Sequence, residues 1–281
     1  MDMDSGRILY EKNANEQRLI ASITKIMTAT VAIENGNLNK EITIGEEVLK
    51  MYGSNIYVEL GEKMTLKNLL YGLLLRSGND AAVVIANNVA KDEETFVEMM
   101  NKKAKELGMK NTIFRNSHGL DEETKNYSSA KDMAILSSYA NTLPVYKEIS
   151  KTKKWTVQSD KKSYVWNNRN KLLYSYKYAT GGKTGYTPKA GRTLVTTASK
   201  DNLNLTIVTL NEYCFNKYKN FLIVDKDNFD IDDNFYKGDL YIKKSFSYPL
   251  TKEEESLVNI VIKLDKLDNY KNNDQVGSVI V

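Results

Sequence analysis

Ala21-Ser-Ile-Thr-Lys-Ile-Met-Thr28 begins a stretch in which Ile23, Ile26, Met27, Val31 and Ile33 recur close to the helical period. A helix over residues 22–34 with so much apolar surface is a buried one. The small Ala21 stands just before it, which makes Ser22 the residue that opens the helix. Lys25 follows at i+3, on the same face as Ser22.

Outward from that helix, residues 65–75 form a second amphipathic helix, interrupted at Arg76-Ser-Gly-Asn79. Residues 80–89 then resume helix with an almost continuous apolar surface, so the interruption sits between two helices deep in the core. Phe96, Met100, Ala104 and Leu107 mark another helix, stopped by Gly108 as a C-cap. Ser129 with Asp132 three residues on is a capping box for a helix reaching Tyr139. Upstream, residues 6–10 read as a strand end, followed by a polar turn over 11–17.

After about residue 150 the period changes. Residues 192–199 and 204–210 alternate apolar and polar around Lys200-Asp-Asn202, a hairpin signal. Lys183-Thr-Gly185 lies just upstream and belongs on the neighbouring, edge-proximal strand. Residues 212–224 read as a helix with Phe215, Tyr218 and Leu222 on one face, and the acidic 225–233 as a linker. Residues 240–242, 257–264 and 276–281 look like strands of a small β module. No repeat and no low-complexity tract interrupts this order.

The chain has 281 residues, enough for one large domain with its own core plus a small appendage. With 41% hydrophobic and 27% charged residues it has the make-up of a globular protein, and no apolar run is long enough to span a bilayer. Met1-Asp-Met-Asp4 has neither the basic nor the apolar region of a secretory signal. The net charge of +4 is small, and with lysines read as scattered among acidic residues there is no nucleic-acid footprint. Cys214 is the only cysteine, which excludes an internal disulfide and any cysteine-based metal site; it reads as an incidental or buried thiol. Asp225-Lys-Asp-Asn-Phe-Asp230 hints at a calcium loop but lacks the glycine and the closing glutamate, so neither a metal nor another cofactor is expected.

Three short runs carry the chemistry: Ser22-Ile-Thr-Lys25, Ser77-Gly-Asn79 and Lys183-Thr-Gly185. Singly they are a capping pair, a turn and a strand end; in this order and these contexts they form the motif set of active-site serine enzymes of the penicillin-binding type. Cleaving an unactivated amide needs a nucleophile, a proton acceptor, a donor for the leaving nitrogen and an oxyanion hole. Ser22 supplies the hydroxyl, and Lys25 is the candidate base once burial and a second cation, Lys183, depress its pKa. Ser77 is placed to relay the proton to the departing amine, and Asn79 to hold Lys25 and the substrate amide. Lys183 and Thr184 offer a cation and a hydroxyl to a substrate carboxylate, while Gly185 lets a peptide lie alongside as an added strand. The N–H groups of Ser22 and Tyr186 are the expected oxyanion donors. A terminal carboxylate clamp implies cleavage of the last residue from a short peptide. His118, the single histidine, lacks a serine and acid pattern around it, which argues against a Ser-His-Asp triad.

With these motifs the chain resembles the D-alanyl-D-alanine carboxypeptidases, the low-molecular-mass penicillin-binding proteins. The likeness runs from about residue 4 to 224 and includes Ala21–Thr28, Leu75-Arg-Ser-Gly-Asn-Asp-Ala-Ala82, His118-Gly-Leu-Asp121, Tyr127-Ser-Ser-Ala-Lys-Asp-Met-Ala134 and Gly182-Lys-Thr-Gly-Tyr-Thr187. Gly181–Thr187, Ile149-Ser-Lys-Thr152 and Arg192-Thr-Leu-Val-Thr-Thr-Ala-Ser-Lys-Asp201 resemble the sporulation branch, which trims cortex peptidoglycan. The resemblance implies an α+β, β-lactamase/transpeptidase-like fold: an antiparallel sheet flanked by helices, an all-helical lobe, and a cleft between them. It divides the chain into a serine D,D-peptidase domain over 1–224, a linker over 225–237 and a partial C-terminal β domain over 238–281. It implies a serine acyl-enzyme without a metal, peptidoglycan stem peptides ending in D-Ala-D-Ala as substrate, and β-lactams as covalent inhibitors. It also implies export to the cell or forespore envelope, with membrane association only through a terminal anchor outside this chain.

Three departures from the family pattern stand out. The chain starts inside the expected first strand, the connection after Leu210 is short, and the β module stops early. Two other readings share the motifs. A β-lactamase-like hydrolase would need a further water-activating carboxylate, and no Glu-x-x-x-Asn run of that kind lies between the second and third motifs. A catalytically impaired muropeptide-binding module would keep the cleft and lose turnover.

Overall fold

The computed structural model describes residues 1–210, 219–228, 231, 236, 240–250, 255–271 and 273–280. The chain divides into two compact units, Met1–Asn211 and Glu212–Val281, ahead of the boundary at 224 read from the sequence.

The first unit is built around the predicted central helix. Ala21–Thr24 form one 3-10 turn that runs into α1 (Lys25–Asn35), and Ile23, Ile26, Met27, Ala29 and Ala32 are fully buried. Helix α1 packs against α3 (Asn79–Val89), α4 (Glu93–Glu106), α5 (Ala130–Ala140) and α6 (Pro144–Lys151). Contact on several sides explains why its apolar residues cover most of its surface.

The expected break between helices is also present. Thr65 caps α2 (Leu66–Tyr71), with its hydroxyl accepting from Asn68 N–H at 3.3 Å. The helix then widens into a π turn over Gly72–Arg76 and ends at Ser77, whose backbone is left-handed at φ 66°. Such wide turns recur at functional sites because they re-aim the residues that follow. Gly72 lets Ile56 pack close, since a Cβ there would come within 2.7 Å of Ile56 Cδ1 and displace that side chain. Helix α4 ends as expected at Leu107, with Gly108 at φ 73°.

The sheet beside these helices is antiparallel, in the order β7 (Ala179–Thr187), β8 (Gly191–Lys200), β9 (Leu203–Leu210). Asp201 and Asn202 both take positive φ, the geometry of a tight hairpin turn between β8 and β9. Helix α5 lies on β9, where Thr206 Oγ1 donates to Ser137 Oγ, and α6 lies against β7. Short two-stranded pairs complete the unit: β1 (Arg18–Leu19) with β4 (Tyr127–Ser128), β2 (Glu41–Thr43) with β3 (Lys63–Thr65), and β5 (Lys154–Gln158) with β6 (Ser163–Asn167). A short helix, α7 (Leu172–Ser175), leads into β7. The described helices include none long and apolar enough to cross a membrane.

Four sequence expectations are corrected. Residues 6–10 form no strand: the chain turns at Gly6 (φ 72°), and the β contact is made earlier, by Asp2 opposite Leu205 and Met3 N–H on Asn204 O. The capping box at α5 is half made, because Ser129 accepts from Asp132 N–H while the Asp132 carboxylate accepts from Asn111 N–H and Thr112 Oγ1. In the second unit, 219–224 is not helical but strand β10 (Lys219–Val224), paired with β11 (Phe246–Leu250). Of the three expected strands of the β module, 240–242 has no strand, whereas β12 (Val261–Leu264) pairs with β13 (Gly277–Ile280). Phe215, Tyr218 and Cys214, on which other readings rested, lie outside the described residues.

Candidate active site

Every sequence-selected residue lies in the first unit, and three separate elements bring them together. The 3-10 turn carries Ser22, and the first residue of α1 is Lys25. Ala21, with φ 48°, aims that turn. A left-handed non-glycine residue costs on the order of 1–3 kcal/mol and persists only where the surroundings enforce it. Here Gly119 presses on it so closely that a Cβ would lie 2.1 Å from Ala21 O.

Lys25 is fully buried. Its Nζ donates to Ser22 Oγ at 3.2 Å, Asn79 Oδ1 at 2.7 Å and His118 O at 2.5 Å. Of these three partners only the serine hydroxyl can also donate. When the ammonium loses its proton, its two remaining hydrogens stay with Asn79 and His118, and the lone pair faces Ser22. Burial, then the charges of Lys183 and Arg169, push the Lys25 pKa well down, with Asp80 opposing them. The predicted depression and both of its expected causes are therefore present.

The π turn delivers Ser77, 4% exposed, toward β7, where Lys183 Nζ donates to Ser77 Oγ at 3.0 Å and to Thr184 O at 2.6 Å. Lys183 is itself buried, and burial with the nearby Arg169 lowers its pKa to about 7. Two buried lysines thus bracket a pair of serines, with hydrogen bonds running from Lys25 to Ser22 and from Lys183 to Ser77.

Strand β7 passes close over the 3-10 turn. A Cβ on Gly185 would meet Thr193 Oγ1 at 2.4 Å and Ser22 N at 2.9 Å, so glycine at this position is what lets strand and turn approach. Thr193 Oγ1 closes the same gap by donating to Ile20 O at 3.0 Å. Thr184 is half-buried, and Tyr186 is exposed beside Arg192, whose guanidinium lies 5.9 Å from the ring centre.

Three supporting features have no counterpart in the sequence reading. The first is the His118 carbonyl, which holds Lys25; a backbone acceptor leaves no residue-type signature. Its loop is fixed by Asn126, which accepts from Arg115 and Asn116 N–H and donates to Thr24 Oγ1. The His118 ring is not a base: burial, aided by Lys25, lowers its pKa to about 3, and Nδ1 accepts from Leu120 N–H. The second is Asp80, which pins the segment 51–58 over the site by accepting from the N–H groups of Ile56, Tyr57 and Ala81. That segment holds Asn79 through Tyr52 O and Ser54 O. The third is Arg169, which donates to Ser54 Oγ at 2.7 Å and adds positive charge near both lysines. The Asn116-Ser-His-Gly119 cluster was the one available hint, since turn-forming polar residues around a glycine mark a built loop.

The chain is similar to known proteins in both sequence and fold. Residues 1–213 match the family model described as D-alanyl-D-alanine carboxypeptidase. The D-alanyl-D-alanine carboxypeptidase DacF of Bacillus subtilis is 34% identical, with 99% of this chain and 77% of that protein covered. DacC of Escherichia coli is 35% identical over 75% of this chain and 54% of its own length. The chain therefore spans about half of the second relative. Among solved structures, a D-alanyl-D-alanine carboxypeptidase from Mycobacterium tuberculosis superposes with TM-score 0.72 at 32% identity, covering 75% of this chain and 80% of that one. A Streptomyces DD-transpeptidase does so with TM-score 0.69 at 32% identity, covering 75% and 87%.

Proposed function

The chain belongs to the D-alanyl-D-alanine carboxypeptidase family, and from that premise we propose that it removes the terminal D-alanine from peptidoglycan stem peptides through an acyl-enzyme on Ser22. The observation that carries this reading is the hydrogen bonding of one buried amine, Lys25, to Ser22, Asn79 and the His118 carbonyl.

The peptide lies along β7 with its terminal carboxylate toward Lys183 and Thr184. Ser22 Oγ attacks the last peptide carbonyl while its proton passes to neutral Lys25. The oxyanion is met by the N–H groups of Ser22 and Tyr186. As the C–N bond breaks, Ser77 hands its proton to the departing nitrogen and takes a replacement from the Lys25 ammonium, so D-alanine leaves and Lys25 is neutral again while Lys183 keeps its charge. Water then attacks the ester with Lys25 again accepting a proton, which releases the shortened peptide and restores the serine. Family membership implies acylation by β-lactams at the same hydroxyl. The substrate is a wall polymer, so the reading includes export and action at the cell or forespore envelope. The stretches over 149–152, 181–187 and 192–201 that resemble the sporulation branch support a role in cortex maturation.

A fluorescent penicillin tests the nucleophile. Lasting label on Ser22 is the expected result, and a protein that stays unlabelled contradicts the acyl-enzyme.

The two lysines make opposite demands on pH. Lys25 must be neutral, so kcat/KM rises as pH climbs through its lowered pKa. Lys183 must be charged to attract a carboxylate, so kcat/KM falls again above about pH 7. The expected profile on a tripeptide with a free carboxylate is a bell. The alkaline fall should vanish on the same peptide amidated at its C-terminus; a fall of equal size on both substrates would assign that limb to another group.

Lys183→Ala is expected to raise KM for the free-carboxylate substrate by roughly tenfold to a hundredfold, the range for losing a charge-assisted hydrogen bond. Turnover of the amidated peptide should change little. Equal losses on both would mean that Lys183 acts through Ser77 alone.

A further inference from the structure

The overall charge conceals an uneven distribution. Residues 151–200 carry twelve lysines and arginines against a single acid, Asp160, whereas the whole chain has 40 against 36, which leaves 28 against 35 elsewhere. Some of these cations are engaged in the site or its walls: Lys183 and Arg169 as described, Lys161 on Leu60 O, Lys162 on Glu59, and Lys189 on Asp121 O.

Others gather at the start of β7, around the exposed Tyr174 and Tyr176 and the half-buried Tyr178. Lys153 Nζ lies 5.7 Å from the Tyr174 ring centre, and Tyr174 OH donates back to Lys153 O. Tyr176 meets Tyr178 edge to face at 5.5 Å. Lys177 and Lys200 both lie against Tyr178, at 4.8 and 5.5 Å, with Lys200 also within 3.7 Å of Asp201. Lys171 adds an exposed cation at the head of α7.

Hydrogen bonds tie together the segments that carry these groups. Asn168 ties 150–152 to the end of β6 by donating to Ser150 O and Thr152 O, Asn170 donates to Gly181 O, and Ser199 N–H donates to Tyr178 O. Tyr178 is five residues before Lys183, roughly 17 Å along an extended strand. That end of β7 lies beyond the terminal carboxylate held at Lys183 and Thr184, on the side away from the glycan that carries the bound stem, so the surface would meet neighbouring strands of the cross-linked wall.

We propose that the tyrosine and lysine face at residues 153, 171–178 and 200 is a second binding site for the acidic glycan-peptide polymer of the wall, separate from the cleft that takes a single stem peptide. This rests on the peptidoglycan reading above. Tyrosine rings offer flat amphipathic platforms to sugars, and the lysines complement the carboxylates borne by successive stems. Each exposed charge contact is weak alone. Several acting at once, on a ligand already tethered through the cleft, multiply into useful retention.

The test is co-sedimentation of the full chain with insoluble purified peptidoglycan stripped of phosphate-bearing polymers, at low and high salt. It is run alongside hydrolysis of soluble diacetyl-Lys-D-Ala-D-Ala. The variant combines Lys153→Gln, Lys171→Gln, Lys177→Gln and Lys200→Gln; the control combines Lys102→Gln, Lys105→Gln, Lys110→Gln and Lys131→Gln, also exposed lysines. The wild type and control should sediment in a salt-sensitive way, and the variant should bind roughly tenfold less. Hydrolysis of the tripeptide should be the same in all three. Equal sedimentation of the variant and wild type overturns the proposal. So does an equal loss in the control, which means net charge alone, and so does binding that needs the phosphate polymers. Failure of the tripeptide assay in the wild type would instead strike the enzymatic reading.

Discussion

Ser22→Ala is expected to abolish both penicillin labelling and release of D-alanine, a loss on the order of 10⁴-fold or more. Nothing else in the cleft can replace the hydroxyl. Ser77 Oγ is bound by Lys183 rather than by Lys25, and the His118 ring sits too low in pKa to activate water near neutrality. The fold should survive, because Ser22 is half-buried and accepts only one of the three hydrogen bonds made by Lys25. Losing one such bond costs about 1 kcal/mol, which shifts a melting midpoint by only a few degrees. Intact melting with no label is the expected pair of results. Persistent label on the alanine variant, located by peptide mapping, would move the nucleophile elsewhere.

Lys25→Gln should be nearly as damaging while leaving the nucleophile in place. General-base assistance contributes roughly 10² to 10⁴-fold, and the residual rate should lose the rising limb of the pH profile. The distinction matters because the two lysines could exchange roles: Lys183, with its pKa lowered to about 7, is neutral often enough to act as a base. The geometry separates them. Lys25 touches Ser22 directly, whereas Lys183 reaches Ser77 and the Thr184 carbonyl. If Lys25→Gln is acylated within tenfold of the wild-type rate, Lys25 is not the base and the assignment reverses.

Much of this arrangement was legible because burial leaves local patterns. The spacing of Ile23, Ile26 and Met27 marked the central helix, and the alternation on either side of Asp201-Asn202 marked the hairpin. Two of the failures fall where a residue's partner is distant in sequence. Residues 221–224 are a short apolar run, and the character of 219–224 is settled by pairing with 246–250, which periodicity within so short a segment does not encode. Asp132 sits where a capping box would use it, but the loop at Asn111 and Thr112 takes its carboxylate. In the site, side chains with distinctive chemistry were found and backbone groups were not. Ser22, Lys25, Ser77, Asn79 and Lys183 converge as expected, while the carbonyls of His118, Tyr52 and Ser54 that hold them came into view only with the fold.

The most direct measurement is quantification of free D-alanine when the chain is incubated with diacetyl-Lys-D-Ala-D-Ala and, in parallel, with the same peptide ending in L-alanine. The expected result is one D-alanine per tripeptide consumed, catalytic in enzyme, with the L-terminated peptide left intact. A protein that takes up penicillin on Ser22 yet releases no D-alanine from the tripeptide would be a binder that keeps the cleft without turnover, and would contradict the account.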